Sequence, residues 1–223
     1  MGKSPSNRRR DSSNAVEGPG EVRVIGGRLR GSIIPYDGDP RVRPMKDRVR
    51  EAVFNLVAVQ VVGSHVIDLF AGTGAMAIEA LSRGAVRATL FERHFPTAKQ
   101  IQVALKRLQL DAVSHVLAGD AFFWGNRLVE PNSAQEGEGL PNGTIPWLVF
   151  CCPPYQLYVD RREDLKAMIA SIVEHAPSGS KIVVESDEHF DPAELCRPDE
   201  WLTRTYLPAT ISILRVERPA AAS

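Results

Sequence analysis

Three acidic residues stand where side chains of one site would be expected. Asp68 lies in the apolar run Val66–Phe70, Glu92 follows Arg87–Phe91, and Asp120 follows His115–Leu117. Between the first two runs the chain reads Phe70-Ala71-Gly72-Thr73-Gly74-Ala75-Met76-Ala77. Gly72 and Gly74 let the backbone turn tightly and approach a ligand, because no Cβ intervenes. The helix that opens there offers unpaired N–H groups to an anionic or carboxylate group. Glu92, with Arg93 beside it, can accept hydrogen bonds from both hydroxyls of a ribose. Asp120, with Ala121 beside it, can accept from an adenine amino group. Singly these signals are weak; in this order, each behind an apolar run, they describe a nucleoside-cofactor site built from Asp68, Phe70, Ala71, Gly72, Thr73, Gly74, Glu92, Arg93, Asp120 and Ala121. Two cofactors fit. A dinucleotide would set its pyrophosphate at the glycine turn, whereas S-adenosylmethionine has no phosphate and could present its amino-acid part to Asp68. The charge of Asp68 would repel pyrophosphate, which favours the sulfonium compound.

A second cluster is Trp147-Leu148-Val149-Phe150-Cys151-Cys152-Pro153-Pro154-Tyr155, an apolar run ending in a proline-stiffened turn with an aromatic tip. Cys151 and Cys152 should point to opposite faces of a strand, Cys151 into the core. A metal site there lacks a His or Cys partner at ligand spacing.

These residues need elements to position them. Val22–Ile25 and Ser32–Pro35, separated by Gly26, Gly27 and Gly31, read as a hairpin. Pro44 and Asp47 open a helix with Val49, Val53, Phe54, Leu56 and Val57 on one stripe. Beyond residue 65 strands and helices alternate: Val66–Phe70, helix Ala75–Ser82, Arg87–Phe91, a helix near Pro96 with Phe95, Ala98, Ile101, Leu105 and Leu108 on one face, then His115–Leu117. Residues 126–146 read as a polar surface loop, followed by strand Trp147–Cys151 and a helix from about Asp160 to Glu174. Strands Lys181–Glu185, Trp201–Leu207 and Thr210–Val216 follow, the last two as a hairpin. The alternation implies an α/β fold: a mostly parallel sheet with helices on both faces and an antiparallel edge at the C-terminus. The division expected is a disordered basic tail over 1–20, a hairpin extension over 21–45, the main domain over 46–217 and a tail over 218–223.

The chain has 223 residues and no net charge, with 27 basic and 27 acidic side chains. The first fifty residues nevertheless hold twelve Lys or Arg against six acids. A basic end on an acidic body suggests a polyanion that meets one face. Arg28, Arg30, Arg41, Arg43, Lys46, Arg48 and Arg50 are the candidate phosphate contacts; Arg48 could instead pair with Glu51. Glu51 and Glu185 could frame a pocket, and Trp124, Trp147 and Trp201 read as core or rim. No apolar stretch approaches the ~18 residues of a membrane span, the N-terminus lacks a signal-peptide core, and three cysteines make no disulfide scaffold. A cytoplasmic monomer without a membrane partner is expected.

The Cys152-Pro153-Pro154-Tyr155 turn resembles the [D/N/S]-P-P-[F/Y/W] loop of S-adenosylmethionine-dependent methyltransferases acting on exocyclic amino groups of bases. Together with Arg43-Pro44-Met45-Lys46-Asp47-Arg48-Val49-Arg50-Glu51, Asp68-Leu69-Phe70-Ala71-Gly72-Thr73-Gly74 and Arg23-Val24-Ile25-Gly26-Gly27-Arg28-Leu29-Arg30-Gly31, it is similar to one family over residues 22 to 217. That family is the bacterial small-subunit ribosomal RNA guanine-N2 methyltransferases (RsmD-type). The resemblance implies a Rossmann-like methyltransferase fold with a seven-stranded sheet and a reversed edge strand. It further implies methyl transfer to guanine N2 in small-subunit ribosomal RNA or an assembling small subunit, with S-adenosylmethionine as cofactor. Cys152, Pro153, Pro154 and Tyr155 would be the catalytic residues: the carbonyl of Pro153 accepting from the amino group, Tyr155 stacking on an extruded base. Cys152 departs from the pattern, since a thiol is a weak acceptor and an ordinary thiol is mostly protonated at neutral pH. It is an active substitute helped by Pro153, or the site is slowed, or catalysis is lost and the chain only binds cofactor and RNA. A nicotinamide dehydrogenase is the more distant alternative.

Overall fold

The computed structural model describes residues 20–39, 42, 44–127, 141 and 145–218. The expectations for the N-terminal tail, Arg41, Arg43, most of the 126–146 loop and the last five residues lie outside the described residues, as does the side chain of Trp124.

The chain opens with an antiparallel hairpin of β1 (Gly20–Arg23) and β2 (Ile33–Tyr36), then α1 (Asp47–Val61). Next come β3 (His65–Asp68), α2 (Ala75–Ser82), β4 (Arg87–Glu92), α3 (Phe95–Arg107), β5 (Ser114–Ala118), α4 (Ala121–Arg127) and β6 (Trp147–Cys151). The C-terminal third holds α5 (Leu157–Asp160), α6 (Arg162–His175), β7 (Lys181–Ser186), β8 (Leu202–Tyr206) and β9 (Ala209–Arg215). Among the described residues one sheet has seven strands in the order β5-β4-β3-β6-β7-β9-β8. The first five are mutually parallel, and β9 runs against both β7 and β8. The C-terminal pair thus makes the antiparallel edge, with the reversed strand seated one place in from the rim.

Connections leave β3 in one direction for β4 and β5 while β6 and β7 lie on its other side. This reversal opens a crevice at the carboxyl ends of β3, β4 and β6, where open α/β sheets hold ligands. Side chains alternate along each strand and feed two cores. One packs Val66, Leu90, Phe150 and Val183 against α1, α2 and α3; the other packs Ile67, Phe91, Val149 and Cys151 against α6. The cysteine pair therefore splits as expected, with Cys151 buried on the second face.

Three local expectations are corrected. Phe95 leaves the apolar face of α3 and is 71% exposed, because it occupies the first turn, beyond the sheet that covers Ala98, Ile101 and Leu105. The helix expected from Asp160 is broken at Arg161, whose φ of −136° is not helical, giving α5 and α6. Helix α4, inside what read as a strand-to-loop connection, was not anticipated.

The hairpin is stitched to α2. Gly27 has φ +74°, and a Cβ there would lie 2.0 Å from the Ser82 carbonyl oxygen, so only glycine permits this approach. Arg28 N–H donates to that carbonyl at 2.8 Å. The buried Glu79 carboxylate accepts from the N–H groups of Ile25 and Gly26, both at 2.7 Å, and pairs with Arg83 at 2.7 Å. Val22, Val24 and Ile34 of the hairpin share the first core.

Candidate active site

A cavity of about 650 Å³ lies over the strand tips, lined by both the glycine turn and the Pro-Pro turn. The glycine turn folds because β3 ends in a sequence that can take left-handed backbone: Gly72 has φ +53° and Gly74 φ +76°. Phe70, Ala71, Gly72 and Thr73 line the cavity. Gly74 is not among the lining residues; it caps α2 and packs toward Ile101, so its contribution is to shape the turn.

Glu92 is held from below. Its Oε2 accepts from Gly72 N–H at 3.0 Å and its Oε1 from His94 N–H at 2.8 Å. A carboxylate has about four acceptor positions, so these bonds orient Glu92 while leaving capacity for ligand hydroxyls. Arg93 and His94 line the same wall.

Asp68 is 1% exposed, and its Oδ2 has no hydrogen-bond partner among the described residues. Burial pushes its carboxyl up to about 7, against the N–H groups of Phe70 and Ala77, with the charge of Glu92 adding to the rise. A buried acid with one unpartnered oxygen on the cavity wall suits a cationic amino group and disfavours a phosphate. The sign of the linkage is testable. The raised value means that the cofactor-free fold keeps a proton the unfolded chain has lost, so stability falls as pH climbs from the ordinary carboxylate range through about 7. A cationic ligand favours the ionised form. S-adenosylmethionine affinity should therefore increase between about pH 5.5 and pH 7.5, with proton release, read by calorimetry in buffers of different ionisation enthalpy. Affinity flat across that range would remove Asp68 from the ligand contacts.

Asp120 has other engagements. Its Oδ1 accepts from Phe122 N–H at 2.9 Å, opening α4, and its Oδ2 lies 3.3 Å from the Arg161 guanidinium. That guanidinium sits 3.7 Å from the Phe122 ring centroid, and Phe122 meets Phe70 edge-on at 6.0 Å. Asp120, Ala121, Phe122 and Phe70 all line the cavity, two aromatic rings beside a carboxylate. Phe122 was missed in the sequence; the Phe122-Phe123 pair directly behind Asp120 was its signal.

At the reacting end, Cys151 pairs with Val184, which sets Cys152 beside Glu185 on the same face of the sheet. Cys152, Pro153, Pro154, Tyr155 and Glu185 all line the cavity. The carbonyls of Pro154 and Tyr155 are taken by Leu157 and Tyr158 N–H groups. Among the described residues no donor reaches the Pro153 carbonyl. Tyr155 Oη donates to Glu185 Oε1 at 3.0 Å, and Tyr158 Oη donates to the Glu185 carbonyl at 2.7 Å. Burial, then the charges of Glu185 and Asp68, push the Cys152 thiol well above its usual range, so it stands as a neutral thiol.

Of the basic candidates, Lys46 is exposed on the cavity rim and Arg48 is exposed in the first turn of α1. Arg28 and Arg30 are exposed but lie with the hairpin turn at the Ser82 end of α2, away from the cavity. Arg50 is corrected: it is 0% exposed, donating to Arg23 O at 2.5 Å and Asp47 Oδ1 at 2.9 Å, and to the Met45 carbonyl. It joins hairpin to helix and has no face to offer phosphate. Glu51 is exposed and does not line the cavity, whereas Trp147 and Trp201 belong to the core.

The sheet order and the crevice define a Rossmann-like domain of the S-adenosylmethionine-dependent methyltransferase type. Residues 22–202 match the family model described as Conserved hypothetical protein 95, and the chain belongs to that family. It is 37% identical over 141 residues to ribosomal RNA small subunit methyltransferase D of Escherichia coli, covering 62% of this chain and 63% of that protein, less than two thirds of its length. It is 30% identical to YlbH of Bacillus subtilis over 175 residues, covering 78% of this chain and 86% of that one. The solved Escherichia coli protein yhhF superposes with a TM-score of 0.67 at 29% identity, over 90% of this chain and 100% of its own. An RNA methyltransferase from Salinibacter ruber in complex with S-adenosyl-L-homocysteine shares the fold, with a TM-score of 0.54 at 15% identity, over 81% and 98% of the two chains.

Proposed function

We propose that this chain transfers a methyl group from S-adenosylmethionine to guanine N2 in small-subunit ribosomal RNA, acting as a cytoplasmic monomer on the RNA or the assembling subunit. The observation that carries the reading is the cavity itself, which brings together a buried Asp68 with one unpartnered oxygen, a backbone-held Glu92 and the Pro-Pro turn, whose Pro153 carbonyl no described donor reaches. Family membership and the likeness to ribosomal RNA small subunit methyltransferase D support it. In this reading residues 46–217 carry the chemistry, and residues 21–45 brace them.

When bound, S-adenosylmethionine supplies a methyl group activated by a positively charged sulfur. The residues of the chain supply position. Asp68 meets the amino group, Glu92 the ribose hydroxyls, and the slot of Phe70 and Phe122 the adenine. The Pro153 carbonyl accepts one amino hydrogen of guanine and favours the positive charge that grows on nitrogen. Prolines on both sides of that carbonyl keep it from wandering. Tyr155, anchored through its hydroxyl to Glu185, presents its ring to the base. Lys46 at the cavity rim and Arg48 in the first turn of α1 meet phosphates. The buried acid at the glycine turn weighs against a pyrophosphate-bearing dinucleotide.

The test is labelled methyl transfer to ribosomal RNA or an assembling small subunit from cells lacking the protein. Wild type should transfer. Cys152→Ala should retain activity within about fivefold, because a neutral thiol is a weak acceptor. The neutral Cys152 also favours a second reading, a cofactor- and RNA-binding homologue without turnover. It would bind S-adenosylmethionine in calorimetry and incorporate no label, with activity appearing only in Cys152→Asp.

A further inference from the structure

Cys152 occupies the position where the resemblance calls for a polar side-chain acceptor, yet its thiol is neutral and poor in that role. The register of β6 and β7 places a carboxylate beside it. Glu185 is next to Cys152 on the same sheet face, lines the cavity, and is fixed at both ends, by Tyr155 Oη on its carboxylate at 3.0 Å and Tyr158 Oη on its carbonyl at 2.7 Å. Both tyrosines come from the segment that follows the Pro-Pro turn, so the carboxylate and the Pro153 carbonyl are set by one rigid piece of chain.

Base chemistry indicates what such a carboxylate reads. Guanine alone among the four bases presents two adjacent donors, N1–H and an N2 hydrogen, on one edge. Adenine and cytosine place an acceptor nitrogen beside their amino group, and a carboxylate repels that lone pair. Two acceptor oxygens match two parallel donors, as in other bidentate pairings with carboxylates. The second N2 hydrogen then falls to the Pro153 carbonyl, which leaves every donor on that edge satisfied.

We propose that Glu185 reads the N1–H/N2–H edge of the target guanine and thereby sets base choice, supplying the acceptor that Cys152 does not. The proposal rests on the methyl-transfer reading above. It requires no change in Asp68, Glu92 or the glycine turn, since Glu185 lies on β7 and those residues lie on or behind β3 and β4, with β6 between.

The test compares wild type and Glu185→Gln on ribosomal RNA carrying either guanine or 2-aminopurine at the methylated position. 2-Aminopurine keeps the amino group and exchanges N1–H for an acceptor nitrogen. Wild type should prefer guanine by about 10²-fold or more in kcat/KM, as expected of a site built to bond a donor. Glutamine still accepts from Tyr155 and from N2, but its N–H opposes guanine N1–H and complements 2-aminopurine. The variant should lose about 10²-fold on guanine, and its preference should fall to within about tenfold or invert. Unchanged melting temperature and S-adenosylmethionine affinity show that the fold and cofactor end are intact. Equal losses on both substrates, or an unaltered preference, overturn the assignment of Glu185 while leaving the methyl-transfer reading in place. A wild type that methylates neither RNA overturns both.

Discussion

Glu92→Ala should weaken S-adenosylmethionine binding by about 10²-fold or more, or about 3 kcal/mol or more, in calorimetric titration. Two losses add. The ribose hydroxyls lose charge-assisted bonds, each worth about 1.5–3 kcal/mol. The N–H groups of Gly72 and His94 also lose the acceptor that now holds them at 3.0 and 2.8 Å, so the glycine turn is less well set before the ligand arrives. Glu92→Gln, which keeps one acceptor oxygen, should fall between the two. Affinity equal to wild type in the alanine variant would contradict the ribose role.

The largest effect on stability is expected at Glu79. Its carboxylate is 1% exposed and bonds two backbone N–H groups of the hairpin and the Arg83 guanidinium. Alanine there leaves the Ile25 and Gly26 donors and a partly covered cation without their partner. Removing one member of a buried pair costs about 3–5 kcal/mol, and a chain of this size loses roughly 2–4 °C per kcal/mol. Glu79→Ala should therefore melt about 6–20 °C lower, with hydrogen exchange in residues 22–34 accelerating first. A variant that melts with wild type would mean that the hairpin is held by Val22, Val24 and Ile34 alone.

Much of this arrangement is legible in the residues themselves. Helix α2 and strand β6 have the bounds that their apolar runs prescribe, because Gly84 stops one and Pro153 the other. The Gly72-Thr73-Gly74 turn and Glu92 come together because consecutive parallel strands must bring their carboxyl ends to one edge. The misreadings have local causes. Arg50 was grouped with its neighbours by charge, yet it shares the spacing of Val53, Phe54 and Val57, the inward stripe of α1. That periodicity, applied to a cation, would have marked it as buried. An acid amid the apolar residues of Ala75–Ser82 was the corresponding sign for Glu79. The meeting of Glu185 with Cys152 was not legible, since it depends on which strands are neighbours and in what register, and residues 152–180 separate the two strands.

On the proposed reading the cavity grips its ligand by the parts that the reaction leaves unchanged. Amino group, ribose and adenine all survive in S-adenosylhomocysteine, which differs from the donor by one methyl group and the charge on sulfur. On the proposed reading Asp68, Glu92 and the Phe70–Phe122 slot therefore retain the spent molecule nearly as firmly as the fresh one. Throughput then follows the ratio of the two compounds in the cell, and the enzyme slows of its own accord when the spent form accumulates.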